Sequence, residues 1–180
     1  MKDNWKLVKT ETTYTDPVLR VEHRDFHFKK NDSVGTFTVI SMKNWAVIVP
    51  VTAEGKLVLV KQFRVGTCDV SYEFPGGAVE TGEDPLIGGA RELVEETGYE
   101  GELTELVRMN PNPAFMDNTC YLYLAVNCVK TSELFLDPFE DVEPAEFSLS
   151  EVEQMILNGQ ISHSISIAAY GAYIASLRQV

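Results

Sequence analysis

Basic residues are scarce in this chain. Lysine and arginine number 15 against 27 aspartates and glutamates, a net charge of −12 with histidine neutral. Such a surface repels a nucleic-acid backbone and an anionic membrane, so neither is expected as a partner. It also means that an anionic small molecule needs cations to hold it. Cysteine is scarcer: Cys68, Cys120 and Cys128 are an odd count with no metal-type spacing. They read as reduced, mostly packed thiols of a cytoplasmic protein. No apolar run is long enough to span a membrane, and MKDNWKLVKTETTY holds no secretory-type apolar core. Internal repeats and low-complexity tracts are absent. What is there is 180 residues, 44% of them hydrophobic. That suffices for one substantial domain, or a medium domain with a small appendage.

The most informative stretch is GGAVETGEDPLIGGARELVEETGY, Gly76 to Tyr99. Asp84 sits where an N-cap belongs, and Pro85 suits the first helical position. Gly98 suits the residue past the helix end. The spacing predicts a helix from Pro85 to Thr97, roughly 20 Å long. On it Glu92, Glu95 and Glu96 stand at i, i+3 and i+4 and share a face, with Arg91 four residues before Glu95. Ile87, Ala90 and Val94 share the opposite face, which is expected to enter a core. Two like charges 4 Å apart repel by about 4 kcal/mol at an effective dielectric of 20. Either the face is solvated and paired with Arg91, or it binds a divalent cation. All-oxygen ligation favours Mg²⁺ or Mn²⁺ over Zn²⁺.

The same stretch resembles the signature of the Nudix hydrolases, G-x5-E-x7-R-E-U-x-E-E-x-G-U, where U is bulky and apolar. Gly77, Glu83, Arg91, Glu92, Leu93, Glu95, Glu96 and Gly98 fall on it without a gap; Tyr99 takes the last position as an aromatic departure. The resemblance implies Mg²⁺-dependent hydrolysis of a pyrophosphate bond, with Mn²⁺ as a substitute. It implies Glu92, Glu96 and the Gly76 carbonyl as metal ligands, and Glu95 as a direct or water-mediated one. Arg91 and Glu83 would hold the loop against the helix.

Residues Trp5 to Met42 look like strands joined by turns, with a phase change in LRVEHRDFHF that suggests a bulge. So small an antiparallel unit is marginal alone. It resembles the N-terminal β unit that ADP-ribose pyrophosphatases, a Nudix branch, exchange within a homodimer. Trp5, Phe26 and Phe28 are either packing residues or a stack for a base. Trp45 to Arg64 reads as a hairpin turning at Ala53-Glu54-Gly55. Gln62-Phe63-Arg64, followed by Tyr72-Glu73-Phe74-Pro75, resembles a substrate-holding region of the same branch, on Arg64 and Glu73. A surface pair between those two is the alternative. Pro113 matches that branch's downstream proline, while Asn118 stands at its glutamate position. That departure turns the expectation toward ADP-ribose or a related nucleoside-diphosphate sugar.

Two strands, GELTELVRM and CYLYLAVNCV, follow the helix of that signature, the box helix. An acidic loop from Asp137 to Pro144 leads to a short strand at Ala145–Leu149. Related enzymes carry a general-base glutamate on such a loop. Glu140 is the first choice and Glu143 the second. Ser148 and Glu151 have capping-box spacing before a helix that ends near Gly159. A last helix is expected from His163 to Leu177. His163, His23 and His27 read as hydrogen-bonded structural residues.

The fold expected is α/β: a Nudix-type α/β/α sandwich around a mixed β-sheet, residues 44–180, with an N-terminal antiparallel β unit, residues 1–43. The reaction expected releases a nucleoside monophosphate and a sugar phosphate. The catalytic set is Glu140, Glu95 and Arg91; the substrate set is Arg64, Glu73, Pro113 and Asn118; the metal set is Gly76, Glu92, Glu95 and Glu96. Rival readings are a Nudix hydrolase of dinucleoside polyphosphates or triphosphates, a non-catalytic nucleotide-sugar-binding module, and a diphosphate isomerase using Cys68.

Overall fold

A computed structural model describes residues 1–136 and 139–178; Asp137 and Pro138 of the acidic loop lie outside the described residues. The chain divides into two compact units. Met1–Asn44 and Asn110–Thr119 form the first, and Trp45–Met109 with Cys120–Val180 the second. A cut at residue 43 leaves Asn110–Thr119 with the second segment, but those residues cluster with the first.

The first unit is an antiparallel meander of β1 (Trp5–Thr15), β2 (Leu19–Phe28) and β3 (Ser33–Met42). Pairing of β2 with β3 is regular along its length. The irregularities fall between Leu7 and Lys9 and between Thr12 and Tyr14, so β1 carries the bulges that the phase change suggested for β2. Trp5 stacks on Phe28 with centroids 4.4 Å apart and meets Phe37 edge-on at 6.0 Å. These aromatics pack on one another.

The second unit contains β4 (Trp45–Thr52), β5 (Leu57–Arg64), β6 (Asp69–Glu73), β7 (Gly76–Ala78), α1 (Pro85–Thr97), β8 (Tyr99–Met109), β9 (Cys120–Lys130), β10 (Val142–Phe147), α2 (Leu149–Leu157) and α3 (Ser164–Leu177). The sheet order is β10-β5-β4-β9-β8, with β6 beside β5 and β7 beside β4. β4 runs parallel to β9 and antiparallel to β7. The expected hairpin of β4 and β5 is splayed: only Val51 and Leu57 pair. Beyond that point β5 leaves β4 for β6 and β10.

Strand β4 reads as an unbroken apolar run because both its faces are covered. Val47 and Val49 pack with Val152 and Met155 of α2 and Ile165, Ala169 and Tyr173 of α3. Ala46 and Ile48 pack on the other side with Leu93 of α1 and Tyr123 and Ala125 of β9. This is an α/β/α sandwich. Its helix α1 is turned differently from the apolar spacing. Ile87 is 63% exposed, and the buried residues are Gly88, Gly89, Leu93, Glu96 and Thr97. Gly89 faces Ala46, Ile48 and Tyr123 of the sheet and Gly88 faces Glu83, so the glutamate side, not the aliphatic side, turns inward.

Candidate active site

The site begins with how α1 is started and stopped. Asp84 Oδ1 accepts the Leu86 N–H at 2.9 Å. Gly98 ends the helix in the left-handed region at φ 73°. Ahead of the helix, β7 places Gly77 against Glu92, where a Cβ would meet the Glu92 carboxyl carbon at 2.5 Å. Only glycine leaves that carboxylate its room.

Arg91 binds the loop to the helix. Its Nε donates to Glu83 Oε1 at 3.2 Å, and its Nη1 to Glu92 Oε1 at 2.9 Å and Glu95 Oε2 at 2.8 Å. Its Nη2 reaches the Ala78 carbonyl at 3.4 Å. Glu96 is buried, and its Oε2 accepts the Gly76 N–H at 2.9 Å. Burial pushes its carboxyl up to about 8; the Gly76 N–H works against this, and the charges of Glu92 and Glu140 add to it. Burial also raises Glu92, with Arg91 opposing.

These groups line one cleft of about 840 Å³ with Arg64, Trp45 and Glu140. Arg64 stands at the end of β5. Its Nε and Nη2 donate to the two oxygens of Glu73 at 2.9 and 2.7 Å. Glu73 is 1% exposed, so a buried carboxylate holds Arg64 from behind while the guanidinium stays at the cleft wall. His163 Nδ1 lies 2.7 Å from Glu73 Oε2. Burial opposes the Glu73 charge, but the hydrogen bonds from Arg64 and His163 outweigh it and hold the carboxyl at about 2.

The structure therefore brings together Gly76, Arg91, Glu92, Glu95, Glu96, Arg64 and Glu140. Glu143 lies on β10 and pairs with Lys61 across the strand at 3.3 Å. Pro113 and Asn118 belong to the first unit. There Pro113 lines a separate cavity of about 590 Å³ with Trp5, Phe26 and Phe37. Asn118 is buried and donates to the Lys43 carbonyl at 3.4 Å. Sequence reasoning missed Trp45, Phe63 and Phe135 as cleft residues. Trp45 opens β4 opposite Ala78, and only that register puts it there. Cys68 is exposed and Cys120 and Cys128 are buried, all three as free thiols.

The donor set suits a hard divalent cation: carboxylate oxygens share one helix face, and the most buried of them, Glu96, has its carboxyl pushed up by burial. Among the described residues no group of three or more His, Cys, Asp and Glu side chains is placed to hold a metal ion as it stands. Mg²⁺ fits such an open site, because it keeps waters and shares its coordination with substrate phosphates.

The NUDIX domain family matches residues 42–169. The chain belongs to the Nudix family. The methanol dehydrogenase activator of Bacillus methanolicus is 32% identical to it over 166 residues, spanning 91% of this chain and 89% of that protein. An ADP-ribose pyrophosphatase of Bacillus subtilis (strain 168) is 28% identical over 158 residues, spanning 87% and 85%. A solved structure described as that of an ADP compounds hydrolase aligns at a TM-score of 0.84 with 20% identity, covering 98% of this chain and 95% of that one. At that identity it supports the fold alone. The chain is a Nudix pyrophosphohydrolase, and its likeness runs to the ADP-ribose pyrophosphatase branch.

Proposed function

We propose that this Nudix enzyme hydrolyses the pyrophosphate bond of a nucleoside-diphosphate sugar, ADP-ribose or a close relative. The products would be a nucleoside monophosphate and a sugar phosphate. The observation that carries this reading is Arg64, oriented by a buried carboxylate, in the same cleft as the box glutamates. A diphosphate presents paired oxygens that a guanidinium matches.

Glu92, Glu96 and the Gly76 carbonyl would hold Mg²⁺, or Mn²⁺ in its place, with Glu95 bound directly or through water. Bound there, the cation would neutralise the carboxylates and stabilise charge on the leaving phosphate. Arg64 binds and orients the diphosphate. Arg91 keeps Glu92 and Glu95 in register with the Gly77 loop. Glu140 takes a proton from the attacking water, whose oxygen bonds to phosphorus as the bridging P–O bond breaks. Catalysis is then mostly positioning and electrostatics. The assignment rests on the second unit alone.

The test is product analysis by ion-exchange chromatography after incubation with Mg²⁺ and a panel. ADP-ribose, ADP-glucose, UDP-glucose, GDP-mannose, a diadenosine polyphosphate and a nucleoside triphosphate suffice. Monophosphate released from the sugar nucleotides is expected. Cleavage confined to the triphosphate or the dinucleotide would overturn the substrate class. Arg64→Ala is expected to raise KM more than it lowers kcat; a pure kcat defect contradicts its binding role.

The Bacillus methanolicus relative, named a dehydrogenase activator, favours a second reading, in which the hydrolysis serves to stimulate a dehydrogenase. Adding the protein to a methanol dehydrogenase assay and finding no change in rate would exclude it. We also infer a homodimer in the cytoplasm. The first unit leaves Trp5, Leu7 and Phe37 exposed on one face of its sheet, a face for a second copy to cover. A single monomeric species in sedimentation velocity would contradict it. No helix among the described residues is long and apolar enough to cross a membrane.

A further inference from the structure

His163 occupies the N-cap position of α3 yet makes no side-chain cap hydrogen bond. Ser, Thr, Asp and Asn are preferred there because their oxygens satisfy a free helix N–H. The His163 ring turns away from that task. Its Nδ1 lies 2.7 Å from Glu73 Oε2 and 3.1 Å from Ser166 Oγ. Ser166 Oγ in turn accepts the Phe74 N–H at 3.1 Å. The first turn of α3 is thereby stitched to the end of β6, next to Glu73.

A local rule broken without local gain points to a task elsewhere. Glu73 Oε2 receives both His163 Nδ1 and Arg64 Nη2, each at 2.7 Å. Glu73 is buried, while the Arg64 side chain is 37% exposed at the cleft wall. The fork on Arg64 fixes its guanidinium plane only if the carboxylate itself is fixed. His163 Nδ1 is the second nitrogen on that carboxylate and donates to it when the ring carries its proton there.

We propose that His163 is a positioning residue for diphosphate binding, holding Glu73 so that Glu73 holds Arg64 in the cleft wall. This rests on the nucleoside-diphosphate-sugar reading above, since the diphosphate is the ligand of Arg64.

The test compares His163→Ser with His163→Asn. Serine caps a helix well and cannot reach Glu73. Asparagine also caps, and its Nδ2 stands near the place of the imidazole Nδ1. For the serine variant the expected result is an unchanged or higher Tm, a KM raised about tenfold, and a kcat within about threefold. Asparagine should bring KM most of the way back. A serine variant with wild-type KM overturns the proposal. So does an asparagine variant as impaired as serine, or a loss confined to kcat. A readout without turnover separates this proposal from the substrate reading. The Arg64 Nε–H resonance, assigned through Arg64→Lys, should be slow to exchange in the wild type and in the asparagine variant, and fast in the serine variant. If no sugar nucleotide is cleaved, the substrate reading fails. A resonance unchanged in the serine variant makes the positioning role fail by itself.

Discussion

Glu96 is buried against the sheet, and its ordinary carboxyl value of 4.5 is pushed to about 8, chiefly by that burial. A folded value above the unfolded one means that the native state binds the proton more tightly. Without metal, stability should therefore fall as pH rises from about 4.5 through 8. Glu96→Gln removes that burden while its amide oxygen still accepts the Gly76 N–H. In chelator at pH 8 the variant should be at least as stable as the wild type by urea denaturation, and the two should converge near pH 4. Mg²⁺ should raise the wild-type midpoint at pH 8 and leave the variant where it was. Turnover in the variant should drop about a hundredfold or more. A variant clearly less stable in chelator at pH 8 would mean that the charged carboxylate is well solvated after all. The ion pairs around the cleft were half legible in sequence. Arg91 with Glu95 follows from i, i+4 spacing, because one helix fixes both ends. Glu73 with His163 does not. They are far apart in sequence and meet only because α3 packs onto the end of β6.

At the scale of elements, the box helix shows where reading stops. Its caps were legible from Asp84, Pro85 and Gly98, since capping is local chemistry. Its orientation was not. Two stripes compete on it, Ile87–Ala90–Val94 and Gly88–Gly89–Leu93, and the larger side chains point to the first. The close approach of helix to sheet decides for the second, which no helical periodicity contains. The same limit hid the splay of β4 and β5: a turn is written in sequence, but the partners of each strand beyond it are not. The orientation makes a prediction about packing. Gly77→Ala would put a Cβ 2.5 Å from the Glu92 carboxyl carbon, and displacing a ligand by about 1 Å can cost a hundredfold. We expect kcat/KM to fall by about that factor with little change in Tm. Gly171→Ala, where a Cβ meets nothing within 4 Å, should keep full activity. It should also stabilise α3 by up to about 1 kcal/mol. Equal effects of the two changes would rule out the steric account.

The whole molecule carries a charge of −12 and is proposed to take an anionic substrate. At long range, then, the protein repels what Arg64 is placed to hold. The Debye length shortens from about 30 Å at 0.01 M ionic strength to about 8 Å at 0.15 M. Over that interval the distant carboxylates are screened from an approaching ligand, while the contact between Arg64 and a bound diphosphate, made within a few ångströms, is screened much less. Raising NaCl from about 10 to about 150 mM at constant free Mg²⁺ should therefore raise kcat/KM severalfold, with kcat nearly flat. Enzymes steered by an attractive field show the opposite slope. A fall in kcat/KM would mean that the field at the cleft mouth is set by Arg64 and the bound cation, and that the acidic surface lies too far away to matter. Replacing Glu54 and Glu133, exposed carboxylates that do not line the cleft, with Gln would then leave the rate untouched. If repulsion governs the approach, the same pair of changes should flatten the salt dependence.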